Sequence, residues 1–281
     1  MTSLFDAPGT EPLAFALLAG AFGAPLLKFT GHSGALLALT GPSGVGKTLI
    51  GRMIMSVYGN PDRLILLRDD TRNMLITRLG LYGTLPVYID EITNIDPLDL
   101  SDLVYRITQG RDKGRLSKNA VEKAVLNFWN TIAVTSSNAS LVAKLAHAKM
   151  DASAEINRVL EYAVPPMQCL TRDTGKSIFD TVSTNYGGVG DRYVRWLVKN
   201  QDTHKQQIED ITTKIIPADA KADERFWYAI AGCALYGGAA AKSLGIISFD
   251  LKPIVKWTKD LLVRTRDSKI DHISDPIDAL G

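Results

Sequence analysis

Cysteine and histidine are scarce in this chain: Cys169 and Cys233 are its two cysteines, and its four histidines stand at positions 32, 147, 204 and 272. Two isolated cysteines make neither a disulfide framework nor a zinc spacing, which suits a reducing cytoplasm. Histidines so far apart supply no metal motif. A charge excess is missing too. With 32 basic and 30 acidic residues the formal net charge is +2, so bulk electrostatics neither require nor exclude a nucleic-acid partner, and any binding surface must be local. Long apolar runs are also lacking. Residues 12–27 are apolar but short, interrupted by glycine and proline, and without a basic flank before them, which reads as a packed helix rather than a signal or membrane span. No repeat or low-complexity tract is present. The 281 residues are enough to bury a sizeable core in one large domain or two small ones.

What is present is a phosphate-binding loop. Residues 35–48, ALLALTGPSGVGKT, put an apolar run directly before a complete Walker A motif, Gly41-Pro42-Ser43-Gly44-Val45-Gly46-Lys47-Thr48, with a helix-compatible stretch after it. Glycines at 41, 44 and 46 allow a tight turn whose N–H groups, with the following helix N-terminus, can cradle phosphate oxygens. Lys47 is expected to reach the β- and γ-phosphates and the Thr48 hydroxyl to ligate Mg²⁺. ATP and Mg²⁺ are therefore the expected cofactors, although the loop alone does not say whether the triphosphate is hydrolysed, transferred or sensed.

A second acidic element narrows that choice. Residues 85–91, LPVYIDE, read as a short buried strand ending in two adjacent carboxylates, which are costly to bury ionised without a cation, a turn or solvent. Asp90 fits a metal-binding Walker B role and Glu91 a base that polarises water. A helix over 48–58, a strand over 64–67 and a helix over 72–80 fit between Lys47 and Asp90, placing Asp90 on the third strand. A further strand over 130–138, NTIAVTSSN, is apolar and β-branched until it turns polar at its end. Ligands of open parallel sheets sit beyond the carboxyl ends of the strands, so Asn138, or Ser136 or Ser137, is placed to meet the attacking water or the γ-phosphate; a Ser/Asn turn capping a helix over 139–148 explains the same residues.

The α/β pattern runs to a fifth strand over 158–164 and breaks at Pro165-Pro166. Helical signals follow over 191–200, 202–215, 223–244 and 251–266, with Trp196, Trp227, Tyr228 and Trp257 expected to pack that bundle. The predicted organisation is an N-terminal helical lead-in over 1–30, an ATPase core over 31–166 and a helical C-terminal subdomain over 167–281. Between the Walker B strand and the 130–138 strand lies an insertion that a minimal nucleotide-binding fold does not need. Arg111, Lys113, Arg115, Lys118 and Lys123 face only Asp112 and Glu122 there. A hairpin with strands near 114–118 and 123–128 would present those cations to phosphate backbones with little base specificity; a solvated charged hairpin is the plain alternative.

The combination GPSGVGKT, SVYGNP, DDTRN, YIDEI and VYRITQGRDKGRL resembles the ATPase domain called domain of unknown function family 927, found in phage and plasmid primase-helicase proteins. The resemblance covers roughly residues 10–245, and the VYRITQGRDKGRL stretch is its most distinctive part. It implies an α/β fold: a P-loop core of AAA+ type with a five-stranded parallel sheet, a basic hairpin insertion and a C-terminal helical subdomain, related to superfamily III and minichromosome-maintenance helicases that assemble as hexameric rings around DNA. By that resemblance residues 111–128 match a pre-sensor-1 hairpin and Asn138 matches sensor 1. Arg158 in INRVLEY falls where an arginine finger completes a neighbouring subunit's site, and Arg225, opening RFWYAIAGCALYG, matches a sensor-2 position. Read locally, Arg158 is alternatively a structural cation at a strand start, and Arg225 a partner of Asp223 or Glu224 on one exposed turn. The family often shows a residue other than asparagine at sensor 1. Its members usually carry a primase or polymerase module upstream, for which the first thirty residues leave no room, so the resemblance implies either a helicase domain of a longer protein or a stand-alone motor.

The expectation is an ATP-driven, ring-forming hexameric DNA helicase that translocates on single-stranded DNA in phage or plasmid replication, in the bacterial host cytoplasm. The alternative is an ATP-dependent loader or remodelling ATPase that acts on a replication protein without unwinding. A P-loop kinase has no need for Glu91 or for the basic insertion.

Overall fold

The computed structural model describes residues 2–67, 70–112, 127–147 and 152–278. Five parallel strands form one sheet: β1 Gly34–Thr40, β2 Leu66–Leu67, β3 Val87–Asp90, β4 Thr131–Ser136 and β5 Val159–Ala163, in the order β2-β3-β4-β1-β5. Every residue of β1 and β4 is buried, as expected for near-continuous apolar runs covered on both faces. Gly34 pairs with Thr131 and Leu36 with Val159, so β1 lies between β4 and β5 in a register that brings all three carboxyl ends to one edge.

Side chains of β1 alternate between two cores. Ala35, Leu37 and Leu39 enter one, and Leu36 and Ala38 enter the other, the period-two division that a pleated strand imposes. The first core is built by α1 (Glu11–Leu17) with the π and 3-10 turns that carry it to Thr30, by α2 (Lys47–Ser56), by α3 (Pro61–Leu64) at its rim, and by helices that follow β5. The second is built by α4 (Arg72–Tyr82), α5 (Pro97–Gln109), α6 (Leu141–Ala146) and α7 (Ser153–Ile156). After β5 come α8 (Arg172–Thr184), α9 (Gly188–Lys199), α10 (Gln201–Ile215), α11 (Arg225–Ser243) and α12 (Lys252–Asp278).

The apolar segment near the N-terminus is long enough to cross a bilayer over Glu11–Thr30, but 83% of its most apolar window is buried inside the protein. It lies along α11, where small residues bring the backbones together: a Cβ on Gly237 would stand 2.6 Å from the Phe22 carbonyl carbon, and one on Gly23 would stand 3.0 Å from the Ala234 nitrogen. The N-terminal and C-terminal helices therefore share one core with the sheet rather than standing apart from it.

Helix ends follow their sequence signals. Asp96 caps α5 through the Leu98 N–H, and Gly110 ends it at φ 69°, a left-handed turn that glycine adopts without a Cβ clash. Beyond that turn Arg111 and Phe128 form an antiparallel bridge, the Asp112 N–H donates to the Asn127 carbonyl, and the Trp129 N–H donates to Gly110. The chain thus leaves and returns as an antiparallel pair, the expected root of the insertion. Its anchor is Trp129, 2% exposed, whose indole N–H donates to the Ile107 carbonyl. One helix, α8, is absent from the sequence-based expectation, which found nothing helical between 166 and 191; Thr171 caps it by accepting from the Thr174 N–H.

Candidate functional site

The carboxyl edge of the sheet gathers the chemistry. After β1 the loop turns through Gly41 (φ 130°), Gly44 (φ 86°) and Gly46 (φ 95°), backbone conformations that a side chain would strain, and it delivers Lys47 to the first position of α2. Lys47 is 6% exposed. Its ammonium donates to the carbonyls of Gly41 at 2.6 Å and Pro42 at 2.8 Å, and to Asn138 Oδ1 at 3.1 Å. Burial holds the Lys47 pKa below the ordinary lysine value, while Glu91 and Asp90 oppose that shift.

Thr48 Oγ1 donates to Asp90 Oδ1 at 3.1 Å. Ser136, at the end of β4, donates to the same oxygen at 2.6 Å and accepts the Glu91 N–H at 2.8 Å. Tyr88 lies beneath, fully buried, and its hydroxyl donates to the Lys47 carbonyl at 2.8 Å. That bond ties the first turn of α2 to β3, and Gly51 permits it, since a Cβ there would stand 2.2 Å from the Tyr88 ring. Burial, reinforced by the Asp90 charge, raises the Tyr88 pKa far above the usual phenol value, so the hydroxyl stays a donor.

Glu91 is the one non-glycine residue with positive φ (55°) among the described residues. Such a conformation costs roughly 1–3 kcal/mol and recurs at functional positions; here it turns the carboxylate off the end of β3 toward solvent. Asn138 Nδ2 faces Glu91 Oε2 at 3.5 Å, and the Asn138 N–H donates to Thr93 Oγ1 at 2.7 Å. The Asn138 amide therefore spans the distance between Lys47 and Glu91. The helix after it is capped by Ser140, which accepts the Ala143 N–H, with Glu161 accepting the Leu141 and Val142 N–H groups. Asn138 is not the cap, and its side chain is free for the cleft.

Lys47, Thr48, Glu91 and Asn138 line a cavity of about 640 Å³ with Ser43, Gly44, Gly46, Leu49 and Arg52 on one side and α8 on the other, a size suited to a small-molecule ligand. Pro42 and Val45 complete the loop, and Val45 is buried beneath it. Thr48 and Asp90 suit a magnesium ion chemically: both offer hard oxygens, and two oxygens about 3 Å apart match neighbouring ligands of an octahedron with bonds of about 2.1 Å.

Two arginines expected at a site stand elsewhere. Arg158 precedes β5, its Nη1 donating to the Ala154 carbonyl at 2.9 Å and its guanidinium lying 5.4 Å from the Tyr105 ring and 5.9 Å from the Phe226 ring. Arg225 opens α11, 5.3 Å from the same Phe226 ring, and its charge together with burial holds His32 below the ordinary histidine pKa. Both therefore lie at the amino end of the sheet. The length of β1, on the order of 20 Å for its seven residues, separates them from the phosphate loop. The sensor-2 position implied for Arg225 therefore stands apart from its own chain's phosphate loop. Arg158 likewise stands apart from the phosphate loop of its own chain.

Of the five insertion cations, Arg111 lies in the described root of the hairpin, and Lys113, Arg115, Lys118 and Lys123 lie outside the described residues. Ser136, weighed in the sequence as a partner of water or the γ-phosphate, instead clamps Asp90, and residues not singled out there include Thr93, Tyr88, Arg52 and the α8 face. Their signal is weak, because each is an ordinary polar or aromatic residue whose role comes from its neighbours.

Comparison with known proteins bears on the fold. Residues 7–127 match the family model described as Domain of unknown function (DUF927). No curated protein matches by sequence. Among solved structures, one described as "SCCmec type IV Cch - active helicase" superposes with a TM-score of 0.67 at 20% identity, over 90% of this chain and 47% of that one; this chain thus spans about half of that helicase. More remote are an inhibitor-bound JCV helicase (TM-score 0.36, 13% identity, 80% of this chain and 65% of that one) and NtrX from Brucella abortus in complex with ATP (0.34, 13%, 87% and 65%). Residues 7–127 are therefore similar to the DUF927 family, and the chain shares with the solved helicase structure an α/β fold, here with a five-stranded parallel sheet.

Proposed function

We propose that this chain is the ATPase motor of a ring-forming DNA helicase that translocates on single-stranded DNA in phage or plasmid replication. The observation that carries the reading is the meeting of Lys47, Asn138 and Glu91 in one cleft, with Thr48 paired to Asp90 beside them. In that reading Gly41 to Thr48 wrap the phosphates and Lys47 neutralises the β- and γ-oxygens. Thr48 and Asp90 hold the magnesium ion, which when bound supplies charge neutralisation across the phosphates. Glu91 orients and deprotonates the attacking water, and Asn138 steadies both Glu91 and the γ-phosphate. The partly exposed position of Arg158 outside its own site supports a role on the neighbouring subunit's triphosphate, hence a closed oligomer, with six subunits the family expectation. The root of the insertion, Arg111 opposite Phe128, supports a hairpin that carries the remaining cations to the DNA backbone.

Strand displacement tests the whole reading. The protein with ATP and Mg²⁺ should unwind a forked duplex, and Lys47→Ala should not. ATP hydrolysis without any unwinding, on either tail polarity, would favour a loader or remodelling ATPase instead.

A further inference from the structure

The cavity beyond the phosphate loop runs along α2, past Thr48, Leu49 and Arg52, and its opposite wall is α8 through Arg172, Gly175, Lys176 and Phe179. Those four positions have the i, i+3, i+4, i+7 spacing of a single helix face, so α8 turns one stripe to the cleft. Two features of that stripe, and the α2 arginine that faces it, are unexplained by the fold. Gly175 sits inside a 13-residue helix, where glycine is less favourable than alanine, yet a Cβ there would meet nothing within 4 Å. No packing demand accounts for it. Phe179 is 43% exposed, while its other face is covered by the Arg52 guanidinium at 4.0 Å from the ring centroid. Arg52 itself is 7% exposed and ionically paired with Asp62 at 2.7 Å. It donates to Ser183 at 2.9 Å, and its Nε is buried without a hydrogen-bond partner among the described residues. A buried guanidinium held from two directions is a rigid backing for an aromatic ring.

We infer that this stripe is the nucleoside seat: the base of the bound nucleoside triphosphate lies flat over Gly175 and stacks on the open face of Phe179, which Arg52 braces from behind. The inference rests on the nucleotide reading above and deepens it by assigning the half of the cavity that the Walker residues do not touch. The layout follows from distance along α2. Phosphates held at its first turn leave the nucleoside to extend past Leu49 and Arg52, where the α8 wall stands. Glycine at 175 gives the flat ring room, and an aromatic face with a cationic backing suits any nucleobase π-system. Arg172, on the first turn of α8, adds a positive charge where the helix dipole favours a negative one, a placement that suits an anionic ligand and not the helix alone.

Calorimetric titration with two probes, ATP and inorganic tripolyphosphate, each with Mg²⁺, tests the assignment. Phe179→Ala and Gly175→Leu are expected to weaken ATP by about tenfold or more and to bind tripolyphosphate as the wild type does, which also shows that they fold. Phe179→Trp is expected to retain ATP affinity. ATP affinity unchanged in both variants, or ATP and tripolyphosphate weakened in parallel, would overturn the seat while leaving the nucleotide reading intact. A wild-type protein that bound neither probe would overturn that reading and the seat with it.

Discussion

Thr48 Oγ1 and Asp90 Oδ1 stand 3.1 Å apart although 42 positions separate them in the chain. The first lies in the opening turn of α2 and the second closes β3, and the two elements are not neighbours in sequence. What joins them is Tyr88, whose buried hydroxyl holds the Lys47 carbonyl and so fixes the first turn of α2 against the end of β3. Glu91 follows directly, its N–H held by Ser136 Oγ at 2.8 Å.

Replacing Glu91 with Gln should leave nucleotide binding nearly intact and slow hydrolysis by ~10²-fold or more, the loss expected for a general base. Glu91→Gly should also be inactive, yet unfold at or above the wild-type temperature, because it relieves a positive-φ backbone. Lys47→Ala should weaken binding itself. Wild-type turnover in Glu91→Gln, measured by phosphate release, would refute the assignment of the base.

The proposed role of Arg158 on a neighbouring subunit's triphosphate makes a prediction about assembly. Arg158→Ala should therefore be inactive alone, with a deficit of ~10³ to 10⁵ in rate if it stabilises transition-state charge, and should partially complement Glu91→Gln in mixed assemblies. Specific ATPase activity should rise with protein concentration as subunits associate. A monomer at every concentration, with and without DNA, would sink the idea.

The cations of the insertion make a prediction about salt. Changing Lys113, Arg115, Lys118 and Lys123 together to Ala should flatten the dependence of single-stranded DNA affinity on salt concentration, since fewer counterions are released. The loss should be similar for unrelated sequences, because phosphate contacts carry no base information. DNA-independent ATPase should survive. An unchanged salt slope would show that the hairpin is not the grip and would move the loader reading ahead.

Stability should fall as pH drops from 7.5 to 5.5. His204 is fully buried, with Nε2 against the Leu197 carbonyl at 2.9 Å and Nδ1 against the Tyr236 hydroxyl at 3.1 Å, and burial holds its pKa below 6.5. His32 is shifted the same way by burial and by Arg225. Below 6.5 the unfolded chain takes up protons that the folded one refuses, so acid favours unfolding, by at most about 1.4 kcal/mol per pH unit per histidine. The lowered carboxylates Asp191 and Asp219 act only below their ordinary value of 3.8, outside this window. Thermal unfolding midpoints measured across it should slope less in His204→Gln than in the wild type; equal slopes would exclude His204 as a contributor.

The sequence by itself determined the parts whose chemistry is local. GPSGVGKT dictates its own turn because glycine alone relieves positive φ at three places, and the runs ALLALT, VYID and TIAVTS declare buried strands by being apolar without alternation. The order of those runs, with Asp90 on the third strand, made the cleft beyond the phosphate loop and the parallel sheet legible. Tertiary structure decided what depends on the distance between elements. Arg225 carries no mark in its own turn to show that it lies a full strand length from the loop; only the register of β1 with β5 and the packing of α11 reveal it. Ser136 reads as one polar residue among several, and becomes the clamp on Asp90 because β4 happens to end beside β3. The α8 wall stayed invisible for the same reason: its stripe is too mixed to announce a core-facing helix, and its residues acquire meaning from the cavity they close rather than from each other.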